Sequence, residues 1–374
     1  MTRVAQEYGA INLAQGFPNF PAPELLKEAA ARAIRDNLNQ YAITWGARSL
    51  RHALARKYLT WYGLEVDPET EITVTCGATE AMIATLLALV DPGDEVIVFE
   101  PFYENYGPDA ILCEAKPVYV PLAPGQPLDL DRLAAAFSRR TRAIVLNTPA
   151  NPSGRVLTRA ELEAVADLCR RHRAYAVTDE IYEHILYDGE HIPIATLPGM
   201  RERTVTISGA SKTYSVTGWR VGWALAPAPL TDAIRKVHDF LTVGAPAPLQ
   251  EALAVALDRL EPGFYQELAQ AYRRRRDLLV GALRRAGFGC VPPEGAYYIL
   301  ADFRGLSDLP DEDFARWLGR ERGVVPVPGS SFYSRPELGR HQVRFVFCKT
   351  EDVLQDAAAR LAGGGTRSAV DVQR

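Results

Sequence analysis

The sequence predicts an α/β protein: a three-layer αβα sandwich around a mainly parallel central sheet, with a smaller α+β domain after it. Strand-like and helix-like segments alternate over residues 71–225, as in proteins built on parallel sheets. Several strand-like segments are almost continuous Val, Ile, Leu and Ala, which is expected of strands that helices cover on both faces. After Pro262 the pattern changes to one long helix and a few short strands.

The individual elements follow from this alternation in chain order. A strand at residues 71–75 and a helix at 79–90 lead to the turn Asp91-Pro92-Gly93-Asp94. Apolar runs then predict strands at residues 95–100, 117–121, 142–147, 174–178, 204–208 and 220–225. Helical periodicity predicts helices at residues 104–112, 129–137 and 159–172. Beyond Pro262 we predict helices at 264–285 and 351–361 and strands at 296–302 and 342–348.

These segments suggest three parts of the chain. Residues 1–37 contain GFPNFPAP and a helix that does not fit the sheet rhythm, and we expect this segment to pack with the small domain. Residues 38–273 form the predicted large domain and residues 274–374 the small one. The glycine-rich tail, residues 363–374, is predicted to be a disordered end.

Composition excludes several classes of function. A net charge of −4 provides no bulk attraction to nucleic acid or to an anionic membrane. The longest apolar run, residues 81–90, is shorter than the roughly 20 residues that cross a bilayer. The five cysteines are scattered without zinc-like spacing, so we predict no metal site and a reducing compartment. The N-terminus has no secretory pattern. We therefore expect a cytoplasmic protein with neither nucleic acid nor membrane as a partner.

Three predicted strands end in residues that could carry chemistry, because ligands of parallel sheets bind at the carboxyl ends of the strands. Residues 76–79 follow the first strand, and their amide groups could hold a phosphate or simply cap a helix. Asp179 could cap a helix, bind a metal or pair with a cation such as a pyridinium. Lys212 is either a surface lysine or a buried one, and a buried lysine is costly unless its amine is neutral or covalently engaged.

The segment GASKTYSVTGWRVG at residues 209–222 resembles the Schiff-base lysine signature of the class I/II aminotransferases, which are fold-type I pyridoxal-phosphate enzymes. Three further segments match in the same order: NTPANPSG at 147–154, TDEIY at 178–182 and VRF at 343–345. The resemblance extends over roughly residues 11–361. It implies that the cofactor is pyridoxal 5′-phosphate and that the substrates are an amino acid and a 2-oxo acid.

The resemblance also implies roles for the matching residues. Lys212 is the counterpart of the catalytic lysine that forms the Schiff base and moves the substrate's α-proton. Asp179 resembles the partner of the pyridine nitrogen, and Tyr182 and Asn151 resemble the donors to the cofactor's phenolic oxygen. Arg344 resembles the arginine that binds the substrate carboxylate by a two-pronged hydrogen bond, with Asn151 nearby.

Other matching positions surround the cofactor and the substrate. By resemblance, one set binds the phosphate or stacks on the ring, and these cofactor-binding residues are Gly77, Ala78, Thr79, Tyr103 and Arg220. The segment QGFP, which contains Gly16 and Phe17, is similar to the segment that covers the substrate. Tyr41 is similar to the tyrosine that reaches the phosphate of the neighbouring subunit, which implies a homodimer with shared active sites.

One position departs from the family pattern. Many members have a serine that binds the phosphate three residues before the lysine, and this chain has Gly209 there. Either Ser208 or Ser211 could take its place, or the contact could be absent.

The resemblance is strongest to the branch that contains kynurenine, glutamine and methionine aminotransferases. It implies ping-pong transfer of an amino group from a neutral, sulfur-bearing or aromatic L-amino acid to a 2-oxo acid. Val243 and Gly244 are small where kynurenine-type members have bulkier aromatic residues, which argues against an aromatic preference. A cysteine-conjugate β-lyase and an aspartate aminotransferase-like enzyme are the alternatives, and an oxidase or decarboxylase on the same scaffold also remains open.

Overall fold

The structure is a computed structural model that describes residues 1–363. The predicted disordered end beyond Gly363 therefore lies outside the described residues. Over residues 1–363 the α-helices are α1 (Thr2–Tyr8), α2 (Glu24–Arg35), α3 (Arg48–Tyr62), α4 (Ala78–Leu89), α5 (Tyr106–Leu112), α6 (Leu130–Ala136), α7 (Arg159–His172), α8 (Ala210–Thr213), α9 (Ala228–Leu241), α10 (Ala247–Arg259), α11 (Pro262–Arg285), α12 (Asp311–Arg322) and α13 (Glu351–Leu361). Within that range no helix has both the length and the apolarity that crossing a membrane requires.

The strands are β1 (Ile11–Asn12), β2 (Ile72–Thr75), β3 (Glu95–Glu100), β4 (Lys116–Pro121), β5 (Thr141–Asn147), β6 (Tyr175–Asp179), β7 (Thr204–Gly209), β8 (Gly222–Leu225), β9 (Gly289–Cys290), β10 (Tyr298–Asp302), β11 (Val324–Val325), β12 (Val327–Pro328) and β13 (Gln342–Val346). Seven of them form the central sheet in the order β2-β8-β7-β6-β5-β3-β4. Strands β3 to β7 are mutually parallel, and only β8 runs antiparallel to its neighbours β2 and β7. The predicted α/β fold with a mainly parallel sheet is confirmed.

Helices cover both faces of this sheet because its strands are apolar on both faces. Along β3, Val96 and Val98 join an apolar cluster with α4, α5 and α9. Ile97 faces the other way and joins a cluster with α6 and α7. Successive side chains of a strand point to opposite faces, so a continuous apolar run is buried on both sides.

Local sequence set some element bounds closely. The bounds of β3, α7 and α13 match the prediction. Helix α7 begins at a capping box in which the Thr158 hydroxyl accepts a hydrogen bond from the Glu161 backbone N–H and the Glu161 carboxylate accepts one from that of Thr158. Most other predicted bounds shift by one or two residues. Helices α3, α9, α10 and α12 lie where we had predicted no element.

The C-terminal region is built on the antiparallel sheet β12-β13-β10-β9, which packs with α11, α12 and α13. The N-terminal residues join this region, because β1 pairs in parallel with β11 and α1 contacts α12. Helix α2 instead packs against α10. The domain limits at residues 37 and 273 remain a proposal, and residue 273 falls inside α11.

Candidate active site

Three neighbouring strands bring the predicted catalytic residues Asp179 and Lys212, together with Asn147, to one edge of the sheet. Strands β5, β6 and β7 are parallel neighbours in that order, so their carboxyl ends coincide. Asn147 ends β5, Asp179 ends β6, and Lys212 lies in α8 directly after β7. Beyond this edge is a cavity of about 180 Å³. Eight of the predicted site residues line it: Ala78, Thr79, Tyr103, Asn151, Asp179, Tyr182, Lys212 and Arg220.

Lys212 presents its amine to the cavity. The side chain is half-buried, and Nζ donates a hydrogen bond to the carbonyl oxygen of Gly16 at 3.2 Å. Burial lowers the pKa of Lys212 to about 8, although the nearby Cys348 and Asp179 act in the opposite direction. With that pKa about a tenth of the amine is neutral at pH 7, whereas an ordinary lysine is almost wholly protonated. A neutral amine in a cavity is a nucleophile and a base.

Asp179 is a buried carboxylate whose partners are neutral donors. Its Oδ2 accepts from the Tyr106 hydroxyl at 2.7 Å, and its Oδ1 accepts from the backbone N–H of Ile181 at 3.2 Å. Burial raises the pKa of Asp179, which the hydrogen bond from Tyr106 opposes. Among the described residues no cation forms a salt bridge with Asp179, although Lys212, which lines the same cavity, acts to lower its pKa. A ligand with a cationic group would stabilise its charged form.

The N-terminus of α4 and Arg220 form a cradle suited to an anion. Gly77 precedes the helix at φ 84°, a backbone conformation that favours glycine. A Cβ at Gly77 would lie 2.4 Å from Nη2 of Arg220, so the guanidinium packs directly on this turn. The first amides of α4, those of Ala78 and Thr79, have no partner within the helix and add the positive end of its dipole.

The structure separates the two serines that could compensate for Gly209. Ser208 donates its hydroxyl hydrogen bond to Oε1 of Glu183 at 2.8 Å, within a buried polar cluster. Ser211 lines the cavity together with Arg220. Ser211 is therefore the serine placed to meet an anion there.

Arg344 and Tyr298 close the end of the site that faces the C-terminal region. Arg344 donates from Nη1 to Oδ1 of Asn151 at 2.8 Å and from Nη2 to the carbonyl of Ala14 at 2.9 Å. Its Nε is buried without a hydrogen-bond partner in the described chain. The hydroxyls of Tyr182 and Tyr298 lie 2.7 Å apart, and the guanidinium of Arg344 is 4.5 Å from the Tyr298 ring centroid. This end offers cationic donors to a carboxylate.

The N-terminal segment passes beside Lys212. The carbonyl of Gly16 accepts from the Tyr297 hydroxyl at 2.8 Å as well as from Lys212. A Cβ at Gly16 would lie 2.4 Å from the Tyr298 hydroxyl, so a larger residue would not fit there. Phe17 is 41% exposed next to this contact and does not line the cavity, and its carbonyl accepts from Lys349.

Tyr41 lies apart from the cavity within this chain. Its side chain is 88% exposed, and it lines a shallow groove with Leu38, Ile43 and Ala247. The structure therefore does not bring Tyr41 together with the other predicted residues.

The sequence motifs did not indicate seven of the residues that line the cavity: Met82, Asn105, Tyr106, Asp109, Asn147, Ile181 and Tyr298. Asn147 and Tyr106 lie close in sequence to the predicted Asn151 and Tyr103, and that spacing was the available signal, whereas Asp109 had none. Asn147 supports the site, since its Nδ2 donates to the carbonyl of Asp179 at 2.9 Å. Tyr298 has no local signal, because only the pairing of β10 with β13 brings it beside Arg344.

Similarity to known proteins extends over nearly the whole chain. The family model described as aminotransferase class I and II matches residues 8–361. Methionine aminotransferase of Escherichia coli is 42% identical, over 96% of this chain and 94% of that protein. Human kynurenine–oxoglutarate transaminase 1 is 39% identical, over 94% of this chain and 92% of that protein. The structure of N-succinyldiaminopimelate aminotransferase from Mycobacterium tuberculosis superposes with a TM-score of 0.94 at 41% identity, covering 98% of this chain and 96% of that one.

Proposed function

Because this chain belongs to the class I and II aminotransferases and is therefore a transaminase, we propose that it transfers the amino group of a neutral L-amino acid to a 2-oxo acid, with pyridoxal 5′-phosphate bound in the cavity. The resemblance stated from the motifs is thus confirmed at the level of the family. The family depends on this cofactor. The observation that supports the proposal for this chain is that Lys212 and Asp179 line one cavity, with Arg344 beside it.

The residues around the cavity fit the cofactor's chemical groups. The cradle of α4 and Arg220 suits its phosphate, and its aldehyde suits the amine of Lys212. Asp179 suits the ring nitrogen, because its carboxylate has no cationic partner in the described chain. Tyr103 lines the cavity and could stack on the ring. Gly77 is needed here because a side chain would displace Arg220.

When bound, pyridoxal 5′-phosphate supplies an aldehyde that condenses with amines and a ring that accepts electron density from the substrate's α-carbon. Lys212 would hold the aldehyde of the cofactor, and its Nζ would be the base that takes the substrate's α-proton and returns it. Asp179 would keep the ring nitrogen protonated. Tyr182 and Asn151 would orient the phenolic oxygen by hydrogen bonds.

The substrate is held by its carboxylate and by the space beyond it. Arg344 binds the carboxylate with Asn151 nearby, and Gly16 borders the cleft beside Arg344. The covering role of Phe17 rests on the resemblance alone, since its side chain lines neither the cavity nor this cleft. The cleft of about 480 Å³ begins at Arg344 and is large enough for a methionine or an aromatic side chain. Besides Arg344, the charged side chains that line this cleft are Glu104, Glu312 and Arg316. The two carboxylates among them disfavour a substrate with an acidic side chain.

A half-reaction assay tests the proposal. The purified chain is loaded with pyridoxal 5′-phosphate and mixed with one amino acid at a time, without an oxo acid. We expect methionine and other neutral amino acids to convert the cofactor to its amine form, seen in its absorption spectrum, and a 2-oxo acid to reverse the change. Aspartate should react at least about tenfold more slowly, since a difference of about 1.4 kcal/mol in transition-state binding has that effect.

The same assay separates the alternatives. Pyruvate and ammonia released from a cysteine conjugate, without any oxo acid, would indicate a β-lyase instead. A preference for aspartate over methionine would contradict the proposed substrate class. If the cofactor neither binds nor changes its spectrum with any amino acid, the proposed function is wrong for this chain.

We further propose that the active enzyme is a homodimer in which Tyr41 of one subunit reaches the phosphate site of the other. The support is an exposed apolar surface around Tyr41. Phe240, at the end of α9, is 94% exposed, and Nε2 of His238 lies 2.8 Å from the carbonyl oxygen of Thr44 in the Tyr41 loop. The patch also contains the exposed residues Leu38, Ile43, Leu241 and Val243. Exposed apolar patches of this kind mark interfaces.

Two substitutions test this dimer. Phe240→Asp should convert the dimer to monomers in sedimentation experiments, because it places a charge in the apolar surface. Tyr41→Phe should leave the dimer intact and weaken binding of pyridoxal 5′-phosphate about tenfold, since a hydrogen bond to a charged group contributes about 1.5–3 kcal/mol. A monomeric wild-type chain with full activity would contradict the proposal.

A further inference from the structure

The carboxyl group of Asp109 lines the cavity and has no partner there. Its side chain is 7% exposed, and it forms no hydrogen bond or ion pair with any residue in the described part of the chain. Its Oδ2 is fully buried and unsatisfied. A buried carboxyl without a donor is destabilising, so a protein seldom retains one unless a ligand supplies the missing contact.

The surroundings of Asp109 give no structural reason for a carboxyl. Residues of α4 and α5 around it, among them Met82, Ala110 and Cys113, form an apolar cluster on the face of the sheet. Burial alone raises the pKa of Asp109 to about 6. A leucine or methionine would fill such a place without the cost of removing a carboxyl group from water. The cavity that Asp109 lines is the place from which a ligand would supply the missing partner.

The position of Asp109 identifies the end of the cavity on which it acts. Asp109 is three residues after Tyr106 in α5, so both side chains lie on the same face of this helix, and both line the cavity. The Tyr106 hydroxyl donates to Oδ2 of Asp179 at 2.7 Å. Two carboxyl groups thus lie near Tyr106, and only Asp179 obtains donors from the chain itself.

We propose that Asp109 is a further cofactor-binding residue, a second acidic group that stabilises the protonated ring nitrogen of pyridoxal 5′-phosphate together with Asp179. This inference rests on the proposed function. Two negative groups around one protonated nitrogen hold its proton more tightly than one does. The unpartnered carboxyl destabilises the cofactor-free protein, and the bound cofactor removes this destabilisation by pairing with it. The cofactor-bound protein is stabilised correspondingly.

The test compares two substitutions in the full chain after the cofactor has been removed. Asp109→Asn keeps the shape of the side chain, and Asp109→Leu makes the site apolar. Both should raise the melting temperature of the cofactor-free protein and weaken its binding of pyridoxal 5′-phosphate about tenfold, measured by fluorescence titration. Asp311→Asn is the matched control: Asp311 is equally buried, but its Oδ2 accepts from the Ser330 backbone N–H and it does not line the cavity. It should lower the melting temperature without changing cofactor affinity.

An analogue in which carbon replaces the ring nitrogen makes the test specific. Its affinity should be the same, within twofold, for the wild type and for Asp109→Asn, because it has no nitrogen to protonate. If Asp109→Asn loses as much affinity for the analogue as for pyridoxal 5′-phosphate, Asp109 has a structural role and the inference is overturned. Unchanged affinity for pyridoxal 5′-phosphate would also overturn it, while leaving the proposed function intact. If the wild type binds no pyridoxal 5′-phosphate, both the proposed function and this inference fall.

Discussion

Replacing Lys212 with alanine is expected to lower the transamination rate at least about 10³-fold, because positioned proton transfer and a covalent nucleophile are lost together. Lys212 is the lysine that lines the cavity, and its pKa of about 8 leaves part of the amine neutral near physiological pH. Borohydride reduction of the loaded wild type, followed by peptide mass spectrometry, should find the cofactor attached at position 212. The alanine variant should show no such adduct.

Two controls test whether the loss of transamination rate in Lys212→Ala could instead come from unfolding or from removing any lysine. Lys236→Ala removes an exposed lysine of α9 that pairs with Asp232, and it should retain full turnover. In the cofactor-free state, Lys212→Ala should have an unchanged or higher melting temperature than the wild type at pH 7, because burial disfavours the protonated amine and alanine removes this cost. Full activity in Lys212→Ala would refute the assigned role.

Arg344→Gln is expected to lower kcat/KM for amino acids by about 10²- to 10⁴-fold, since two hydrogen bonds to a charged group contribute about 1.5–3 kcal/mol each. The guanidinium is buried, is held by Asn151 and the carbonyl of Ala14, and retains an unpartnered Nε within the described chain. Arg344→Lys keeps the positive charge but loses the two-pronged hydrogen bond. Its kcat/KM should therefore lie between those of the wild type and Arg344→Gln.

A substrate without a carboxylate checks the reason for this loss. The primary amine that corresponds to a decarboxylated substrate should react slowly with the wild type and equally slowly with Arg344→Gln. If the variant loses activity toward this amine as strongly as toward the amino acid, then Arg344 supports the architecture of the site and does not bind the carboxylate. Cofactor affinity, measured in parallel, should change little.

Local sequence patterns predicted the parts of the fold that depend on neighbouring residues. Strand β3 is one apolar run, and α7 has its capping box at Thr158 and Glu161 in the sequence itself, so both were predicted with matching bounds. Helix α12 was not predicted. Its residues do carry local helix signals, an acidic first turn, a basic last turn and Gly323 in the left-handed conformation after it, so this helix could have been predicted.

For the candidate site, sequence motifs indicated the residues that follow strands, and the structure gathered eight of them around one cavity. Motifs could not indicate Tyr298, which reaches the cavity through the pairing of β10 with β13. They also gave no reason to consider Asp109, because nothing in the sequence shows whether a carboxyl in a short helix will face water or line a cavity.

The sequence by itself determined the α/β class, the family and the chemical groups that the site requires, because apolar periodicity and compact motifs are properties of adjacent residues. Only the tertiary structure decided that β8 runs antiparallel, that Ser211 and not Ser208 lines the cavity, and that Arg344 meets Asn151 across 193 positions of the chain. The physical reason is that such contacts arise from burying surfaces of distant segments against each other, and the free energy of that burial depends on the whole packed arrangement.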